Sequence, residues 1–171
     1  RPAVAMVSRC RKACRDGQLR GQRAMITCAM AFRVGVLTIS DRGSQGLRED
    51  RSGPEIQRMV QQAGGEVIVT RLVPDERQMI ADMLATWADE GALDVVITTG
   101  GTGLSPRDVT PEATCAVIER EVPGIAEALR AASLAKTPMA MLSRGVAGIR
   151  RHTLIVNLPG SPKAVAECLE V

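Results

Sequence analysis

The sequence is poor in aromatic residues and in histidine. Its 171 residues contain no tyrosine, one phenylalanine and one tryptophan. Modules that stack nucleic-acid bases depend on aromatic side chains, so the composition argues against a nucleic-acid partner. The single histidine, His152, excludes a histidine-rich metal site. Because no Gly-x-Ser-x-Gly elbow accompanies it, we interpret His152 as structural, and we expect the single tryptophan, Trp87, in the core.

Long apolar runs are also missing. No stretch of about 18 consecutive apolar residues occurs, so no membrane span and no membrane partner are expected. The five cysteines are an odd number, and their spacing does not match a zinc finger. We therefore expect free thiols in a reducing cytoplasm, and a metal site among the three cysteines before residue 31 is the alternative.

Positive charge is concentrated at the start of the chain. Residues 1–31, called the basic tail below, hold seven Lys or Arg and one acid, whereas residues 32–171 hold 15 basic and 18 acidic residues. We expect the basic tail to be disordered or foreign to the natural protein, and an organelle transit peptide is the alternative. The mildly acidic remainder gives no electrostatic reason to expect nucleic-acid binding.

From residue 33 onward, apolar strands alternate with amphipathic helices. Strands are predicted at 34–39, 67–73, 94–98, 140–142 and 154–157. Helices are predicted to begin near Ser52, Asp75, Thr110, Pro123 and Ser161, with Ser52, Asp75 and Ser161 as N-caps. This alternation predicts one α/β domain, residues 32–171, with a mainly parallel sheet.

A glycine-rich segment follows the third predicted strand. It includes Thr99, Gly100, Gly101, Thr102 and Gly103. Ligands of open α/β sheets bind at the carboxyl ends of strands, and glycines let backbone amides approach an anion. The segment matches neither a P-loop nor a dinucleotide fingerprint. Phosphate binding and a tight structural turn both remain open from the spacing.

Two aspartates lie at strand-to-helix junctions. Asp75 follows the second strand, and Asp108 lies in the glycine-rich segment beside Arg107. Each could be a magnesium ligand, since Mg²⁺ prefers carboxylates and shares them with substrate phosphates. The structural alternatives are a helix cap for Asp75 and an ion pair or turn cap for Asp108. Two more loops, at 143–150 and 157–163, follow predicted strands, and the four loops together favour a nucleotide or phosphate cleft.

Several ordered motifs resemble the molybdopterin adenylyltransferases of molybdenum-cofactor biosynthesis and the related gephyrin G domains. The motifs are Ile39-Ser40-Asp41, Asp50-Arg51-Ser52-Gly53-Pro54, Val73-Pro74-Asp75-Glu76, Thr-Gly-Gly-Thr-Gly at 99–103, Arg-Asp-Val-Thr-Pro-Glu at 107–112, Leu-Ser-Arg at 142–144 and Asn-Leu-Pro-Gly-Ser-Pro at 157–162. The resemblance extends over residues 33–171. It implies a three-layer α/β/α fold and a homotrimer that uses ATP and Mg²⁺ to adenylylate the terminal phosphate of molybdopterin.

The resemblance also assigns roles to individual residues. It makes Asp75 and Asp108 the catalytic, metal-holding aspartates. It implies that a larger set of residues binds ATP and molybdopterin: Ser40, Asp41, Ser52, Gly53, Thr99, Gly100, Gly101, Thr102, Gly103, Arg107, Ser143, Arg144, Asn157, Pro159, Gly160 and Ser161. The activated pterin would then pass to a molybdenum-insertion protein.

The chemistry of such a reaction suits this composition. The attacking group is a phosphate oxygen, already nucleophilic, so no histidine base is needed, and catalysis would consist of positioning and charge neutralisation. Two alternatives remain. One is a non-catalytic molybdopterin-binding or assembly module, because a fold alone does not specify a function. The other is a nucleotide pyrophosphatase resembling the domain of competence-damage proteins.

Overall fold

The computed structural model describes residues 31–171. The basic tail, except Ala31, lies outside the described residues, and so do the three cysteines that it contains. A six-stranded sheet has the order β2-β1-β3-β6-β5-β4. The strands are β1 (Arg33–Ile39), β2 (Glu66–Val73), β3 (Val95–Thr99), β4 (Arg120–Glu121), β5 (Ala147–Arg150) and β6 (Thr153–Leu158). The four strands β2, β1, β3 and β6 are parallel, whereas β5 and β4 are antiparallel to their neighbours. The prediction of a mainly parallel sheet is confirmed.

Helices cover both faces of this sheet. They are α1 (Asp41–Ser44), α2 (Ser52–Gln62), α3 (Arg77–Asp89), α4 (Thr110–Cys115), α5 (Pro123–Leu134) and α6 (Pro162–Leu169), with a 3-10 helix at Pro138–Leu142. None of the helices within residues 31–171 is long and apolar enough to cross a membrane.

The core has two separate parts, one on each face of the sheet. Alternate residues of β1 point to opposite faces, so Leu37 and Ile39 belong to one part and Val34 and Val36 to the other. The first part joins the sheet to α3 and α4, and Trp87 is buried in it as predicted. The second part joins the sheet to α2 and α6. Two apolar faces covered by helices make the three-layer architecture that the family resemblance implied.

Two predictions about the second half of the sheet were wrong. Residues 140–142 form part of the 3-10 helix and not a strand. Thr137 begins this helix, because its side chain accepts a hydrogen bond from the Met139 amide at 3.3 Å. Met141 and Leu142 are exposed, so their apolar character does not mark a buried strand. The second wrong prediction is the loop at 143–150, because its last four residues form β5. Strand β4 was not predicted.

Candidate functional site

The carboxyl ends of the four parallel strands meet at one edge of the sheet, where a cleft of about 590 Å³ opens. The loops after β1, β2, β3 and β6 all contribute to its lining. Half of the predicted site residues line this cleft: Ser40, Ser52, Asp75, Thr99, Gly100, Gly101, Asp108, Gly160 and Ser161. The expectation that strand-end loops converge is confirmed for the loops that hold Asp75, the glycine-rich segment and residues 157–163, whereas the predicted fourth loop, at 143–150, does not line the cleft.

The glycine-rich segment packs tightly against the end of β1. Gly100 and Gly101 have positive φ angles of 101° and 62°. A Cβ atom on Gly100 would lie 2.2 Å from the Ile39 carbonyl oxygen. Thr110, the first residue of α4, holds the loop from the other side, since its hydroxyl donates to the Gly100 carbonyl at 2.9 Å. The glycines are thus required for a tight turn, which was one of the two interpretations left open.

The same loop also presents unused hydrogen-bond donors. The amides of Gly101, Thr102 and Gly103 donate to no acceptor in the described part of the chain. Successive free backbone amides beside the amino end of a helix are a typical arrangement for binding an anion. The tight turn therefore does not compete with phosphate binding, because the turn is what leaves these amides free.

Asp75 is hydrogen-bonded to Asp41, which follows β1. The Asp75 Oδ2 atom accepts a hydrogen bond from the Asp41 amide at 2.8 Å, and the Asp41 Oδ1 atom accepts one from the Asp75 amide at 3.0 Å. Helix α3 begins two residues later, at Arg77. The prediction of Asp75 as the N-cap of its own helix was wrong, because its carboxylate binds the neighbouring loop instead.

Asp108 is oriented by its own turn. Its Oδ2 atom accepts a hydrogen bond from the Ser105 amide at 2.8 Å, and its amide donates to the Ser105 carbonyl at 2.9 Å. Its ion-pair alternative with Arg107 is not seen. The Oδ1 atoms of Asp75 and Asp108 accept no hydrogen bond from residues 31–171, so each carboxylate keeps one oxygen available.

The carboxylates in the cleft influence one another. Burial raises the pKa of Asp75 above its ordinary value, and the negative charges of Asp41 and Asp108 raise it further. By contrast, hydrogen bonds from Arg107 lower the pKa of Asp41. A partly buried carboxylate surrounded by like charges is stabilised by a cation, so this end of the cleft favours a positively charged ligand.

The donor set fits a magnesium ion shared with a ligand. No cluster of three or more His, Cys, Asp or Glu side chains that could hold a metal alone occurs in residues 31–171. Mg²⁺ does not need such a cluster, since it commonly uses one or two carboxylates together with water and substrate phosphates. The free oxygens of Asp75 and Asp108 supply that number.

Two arginines assigned to ligand binding make their contacts within the protein. The Arg107 guanidinium donates to Asp41 at 2.8 and 3.0 Å and to Glu76 at 2.9 Å. It thereby joins the glycine-rich segment to the loops after β1 and β2. Arg144 donates to the Gly103 carbonyl at 2.7 Å, to the Asp108 carbonyl at 2.5 Å and to the Glu112 carboxylate. These contacts make both arginines links between loops.

Five of the other nine predicted residues lie around a second cavity of about 400 Å³, on the far side of the glycine-rich segment. The remaining four, Asp41, Gly53, Arg107 and Arg144, line neither cavity. Thr102, Gly103, Ser143, Asn157 and Pro159 contribute to its lining. Asn157 is buried, and its side-chain amide donates to Thr98 and Thr114 at 3.0 and 2.9 Å. Its visible role is therefore to join β6 to β3 and α4.

Sequence reasoning missed Asp50. Its Oδ1 atom accepts hydrogen bonds from the Ser52 and Gly53 amides, both at 2.9 Å, and its Oδ2 atom accepts one from the Thr38 hydroxyl at 2.7 Å. Asp50 therefore caps α2, whereas the predicted cap, Ser52, donates its hydroxyl to the Gly160 carbonyl at 2.8 Å. An aspartate two residues before the Ser-Gly-Pro start was the signal that could have revealed it. Ser161 occupies the predicted N-cap position of α6 without a side-chain cap bond.

The fold and the cleft define a class: an α/β/α domain with a glycine-rich loop of free amides and two carboxylates at the carboxyl edge of its sheet. Residues 35–171 match the family described as "Probable molybdopterin binding domain". The chain belongs to this family, as the motifs in its sequence indicated.

Relatives with assigned activities have similar sequences. The chain is 47% identical over 141 residues to the molybdopterin adenylyltransferase of Haemophilus influenzae, a match covering 81% of this chain and 72% of that protein. It is 46% identical over 141 residues to the molybdopterin adenylyltransferase of Escherichia coli K12, with the same coverage.

Solved structures give the same result for the fold. The molybdopterin biosynthesis enzyme MoaB from Thermus thermophilus has a TM-score of 0.76 and 56% identity, covering 81% of this chain and 87% of its own. A molybdopterin biosynthesis protein from Mycobacterium abscessus has a TM-score of 0.77 and 41% identity, with the same coverage. At these identities the similarity extends to the family and not only to the architecture.

Proposed function

We propose that the chain is a molybdopterin adenylyltransferase that transfers AMP from ATP to the terminal phosphate of molybdopterin and releases pyrophosphate. One observation carries the proposal: Asp75 and Asp108 each present a free carboxylate oxygen in the cleft that the glycine-rich segment borders. The 47% identity to a protein named for this activity supports the choice of substrates.

The residues of the cleft divide the work between them. The free amides of Gly101, Thr102 and Gly103 would hold phosphate oxygens, because successive N–H groups carry partial positive charge toward an anion. Asp75 and Asp108 would hold Mg²⁺, which when bound neutralises charge on the triphosphate. The molybdopterin phosphate needs no base, so the chain contributes by bringing two anions together in a fixed orientation.

The proposal includes an oligomer and a location. We propose a homotrimer that hands its product to a molybdenum-insertion protein. Exposed apolar side chains near the second cavity support association, because such patches mark interaction surfaces: Leu104, Leu134, Met139, Met141 and Leu142. The free thiols of Cys115 and Cys168 support a cytoplasmic location. Light scattering should give a mass about three times 18.2 kDa, and a mass of 18.2 kDa would contradict the trimer.

The test is AMP transfer from ATP labelled at the α-phosphate, with Mg²⁺, with and without purified molybdopterin. An adenylylated product that requires the pterin is expected. Hydrolysis of ATP in the absence of pterin would identify a nucleotide pyrophosphatase instead. A folded protein that binds pterin without turnover would identify a binding or assembly module.

The Asp108→Ala variant tests the role of the carboxylate. We expect transfer to fall by about 100-fold or more, because an electrostatic group aimed at the reacting phosphates is lost. Asp82→Ala is the matched control, since Asp82 is an exposed aspartate of α3 whose side chain hydrogen-bonds only Gln78 among the described residues. Equal turnover of the wild type and Asp108→Ala would remove Asp108 from the mechanism.

A further inference from the structure

Arg144 makes an unusual number of contacts with one loop. Its amide donates to the Thr102 carbonyl at 3.0 Å, and its Nε atom donates to the Gly103 carbonyl at 2.7 Å. One terminal nitrogen donates to the Asp108 carbonyl at 2.5 Å, and the other donates to the Glu112 carboxylate at the start of α4. Every nitrogen of the guanidinium is thus bonded within the protein.

These contacts close the segment from Gly103 to Asp108, called the Asp108 loop below. The guanidinium bonds the carbonyls of the first and last residues of the loop, which brings its two ends together. Only a planar fork with donors in several directions can do this, and a lysine ammonium on a flexible stem cannot reproduce it. The loop ends at the residue that presents its carboxylate to the cleft.

Glu112 ties the guanidinium to α4. Burial raises the pKa of Glu112, but the hydrogen bond and charge of Arg144, together with a backbone hydrogen bond and the charge of Arg77, lower the pKa on balance. Its second carboxylate oxygen is buried and has no partner in the described part of the chain. Arg144 is therefore the group that fixes Glu112, and Glu112 in turn fixes the orientation of the guanidinium.

We propose that Arg144 is a positioning residue that keeps the Asp108 loop closed and so directs the Asp108 carboxylate into the cleft. In this role it acts through two backbone carbonyls and does not contact a substrate phosphate. The inference rests on the proposed function for its effect on turnover, whereas its effect on the loop is independent of any activity. Groups that orient a metal ligand typically change activity or metal affinity by about 10- to 100-fold when they are replaced.

Arg144→Lys is the test, and Arg150→Lys is its matched control. Arg150 makes the same kind of contacts, with two bonds to Asp89 and one to the Val117 carbonyl. Its side chain is 24% exposed, against 35% for Arg144. It lies at the end of β5 that faces the start of β6, the edge of the sheet opposite the cleft.

The first measurement is amide hydrogen exchange of the ligand-free full chain. The amides of Ser105 and Asp108 are bonded within the loop, so they report whether it stays closed. We expect Arg144→Lys to exchange at least about tenfold faster in peptides covering 103–108, and Arg150→Lys to exchange there like the wild type. Wild-type exchange in Arg144→Lys would overturn the proposal, and so would equal acceleration in both variants.

The second measurement separates positioning from direct binding. We expect Arg144→Lys to lower kcat about 10- to 100-fold and to need more Mg²⁺ for half-maximal rate, with KM for ATP and for molybdopterin little changed. A raised KM with normal kcat would show direct substrate contact and overturn the proposal. A wild type without transferase activity would refute the proposed function, while the exchange result would still decide the role of Arg144 in the loop.

A second variant tests whether the loop depends on the bonds from Arg144 to the two carbonyls or on its ion pair with Glu112. It also keeps the proposal testable if Arg144→Lys does not fold. Glu112→Gln leaves both carbonyl bonds of Arg144 in place. We therefore expect exchange in the Asp108 loop to stay within about twofold of the wild type. An acceleration as large as that of Arg144→Lys would show that the ion pair holds the loop and would overturn the role assigned to the two carbonyls.

Discussion

Asp75 carries its charge at a position where the folded protein disfavours it. The residue is partly buried, and two other carboxylates, Asp41 and Asp108, face it. A negative charge in such surroundings lowers the stability of the folded state, and it favours binding of a ligand that neutralises it. Cleft residues of this kind are where stability and function are expected to conflict.

The pKa of Asp75 therefore predicts the direction of a change in stability. Because the folded pKa is raised above 3.8, the folded state holds the proton more tightly than the unfolded state. The free energy of unfolding then falls as the pH rises from the ordinary aspartate pKa through the raised value, and it stays lower above that. Asp75→Asn removes this loss of stability because asparagine does not ionise, and its side-chain oxygen can still accept the hydrogen bond from the Asp41 amide.

We expect Asp75→Asn to be inactive yet at least as stable as the wild type at pH 7. The difference in melting temperature should shrink as the pH falls from the raised pKa toward 3.8, because the wild-type carboxyl takes up its proton in the folded state over this range. Calorimetry from pH 4 to pH 8 measures this, with Asp82→Asn as the control for an exposed aspartate. A melting temperature well below the wild-type value at pH 7 would show that the charge itself supports the fold.

The glycine-rich loop shows how an element depends on single backbone positions. Gly100 and Gly64 both have positive φ angles, 101° and 82°. They differ in their surroundings, because a Cβ on Gly64 would meet open space and one on Gly100 would meet the Ile39 carbonyl oxygen at 2.2 Å. Substitution at Gly64 strains only the backbone, whereas substitution at Gly100 must also displace the end of β1.

Alanine at these two positions should have unequal effects. We expect Gly64→Ala to lower the free energy of unfolding by about 1 kcal/mol, the ordinary cost of a left-handed alanine. Gly100→Ala should lower it by at least about 3 kcal/mol, since steric overlap with a buried strand is added. Urea denaturation of both variants measures the difference. Equal values would mean that the loop can move away from β1 without loss.

Elements with strong local signals were predictable, and those defined by distant contacts were not. Strands β1, β2, β3 and β6 are apolar runs bounded by turn residues, and each was predicted to within two residues. Strand β4 has two residues, both exposed, and it exists because it pairs with β5. The 140–142 segment has the apolar character of a strand but no sheet neighbour that covers it.

The candidate site shows the same division. The positions of Asp75, Asp108 and the glycines followed from one rule, that parallel strands end at a shared edge. The contacts of the two arginines did not follow, because Arg107 bonds a carboxylate 66 residues away and Arg144 bonds carbonyls 36 and 41 residues away. Sequence spacing identifies a charged residue beside a loop, but only the fold shows whether it binds a ligand or another loop.

At the scale of the whole molecule, the net charge of +3 comes from the basic tail, and the net charge of the remaining residues gives no attraction for an anionic substrate. Residues 32–171 carry three more acidic than basic residues. Arg107 and Arg144 are already bonded to protein acceptors. Of the two arginines that line the cleft, Arg48 and Arg51, the second is paired with Glu49. Recognition of a triphosphate then relies on the free loop amides, on a cation held by Asp75 and Asp108, and on Arg48, an exposed arginine of the cleft lining. Binding of ATP should accordingly require Mg²⁺.

Thermal stability measures this requirement without relying on turnover. A ligand at 100 times its Kd stabilises the folded state by about 2.7 kcal/mol, and a chain of this size gains about 3 °C per kcal/mol. We therefore expect Mg²⁺ and ATP together to raise the melting temperature by about 8 °C, and ATP with EDTA to have little effect. The double variant Asp75→Asn, Asp108→Asn should lose the magnesium-dependent part. If ATP alone gave the full shift, the amides would bind the triphosphate unaided, and the two carboxylates would have another role.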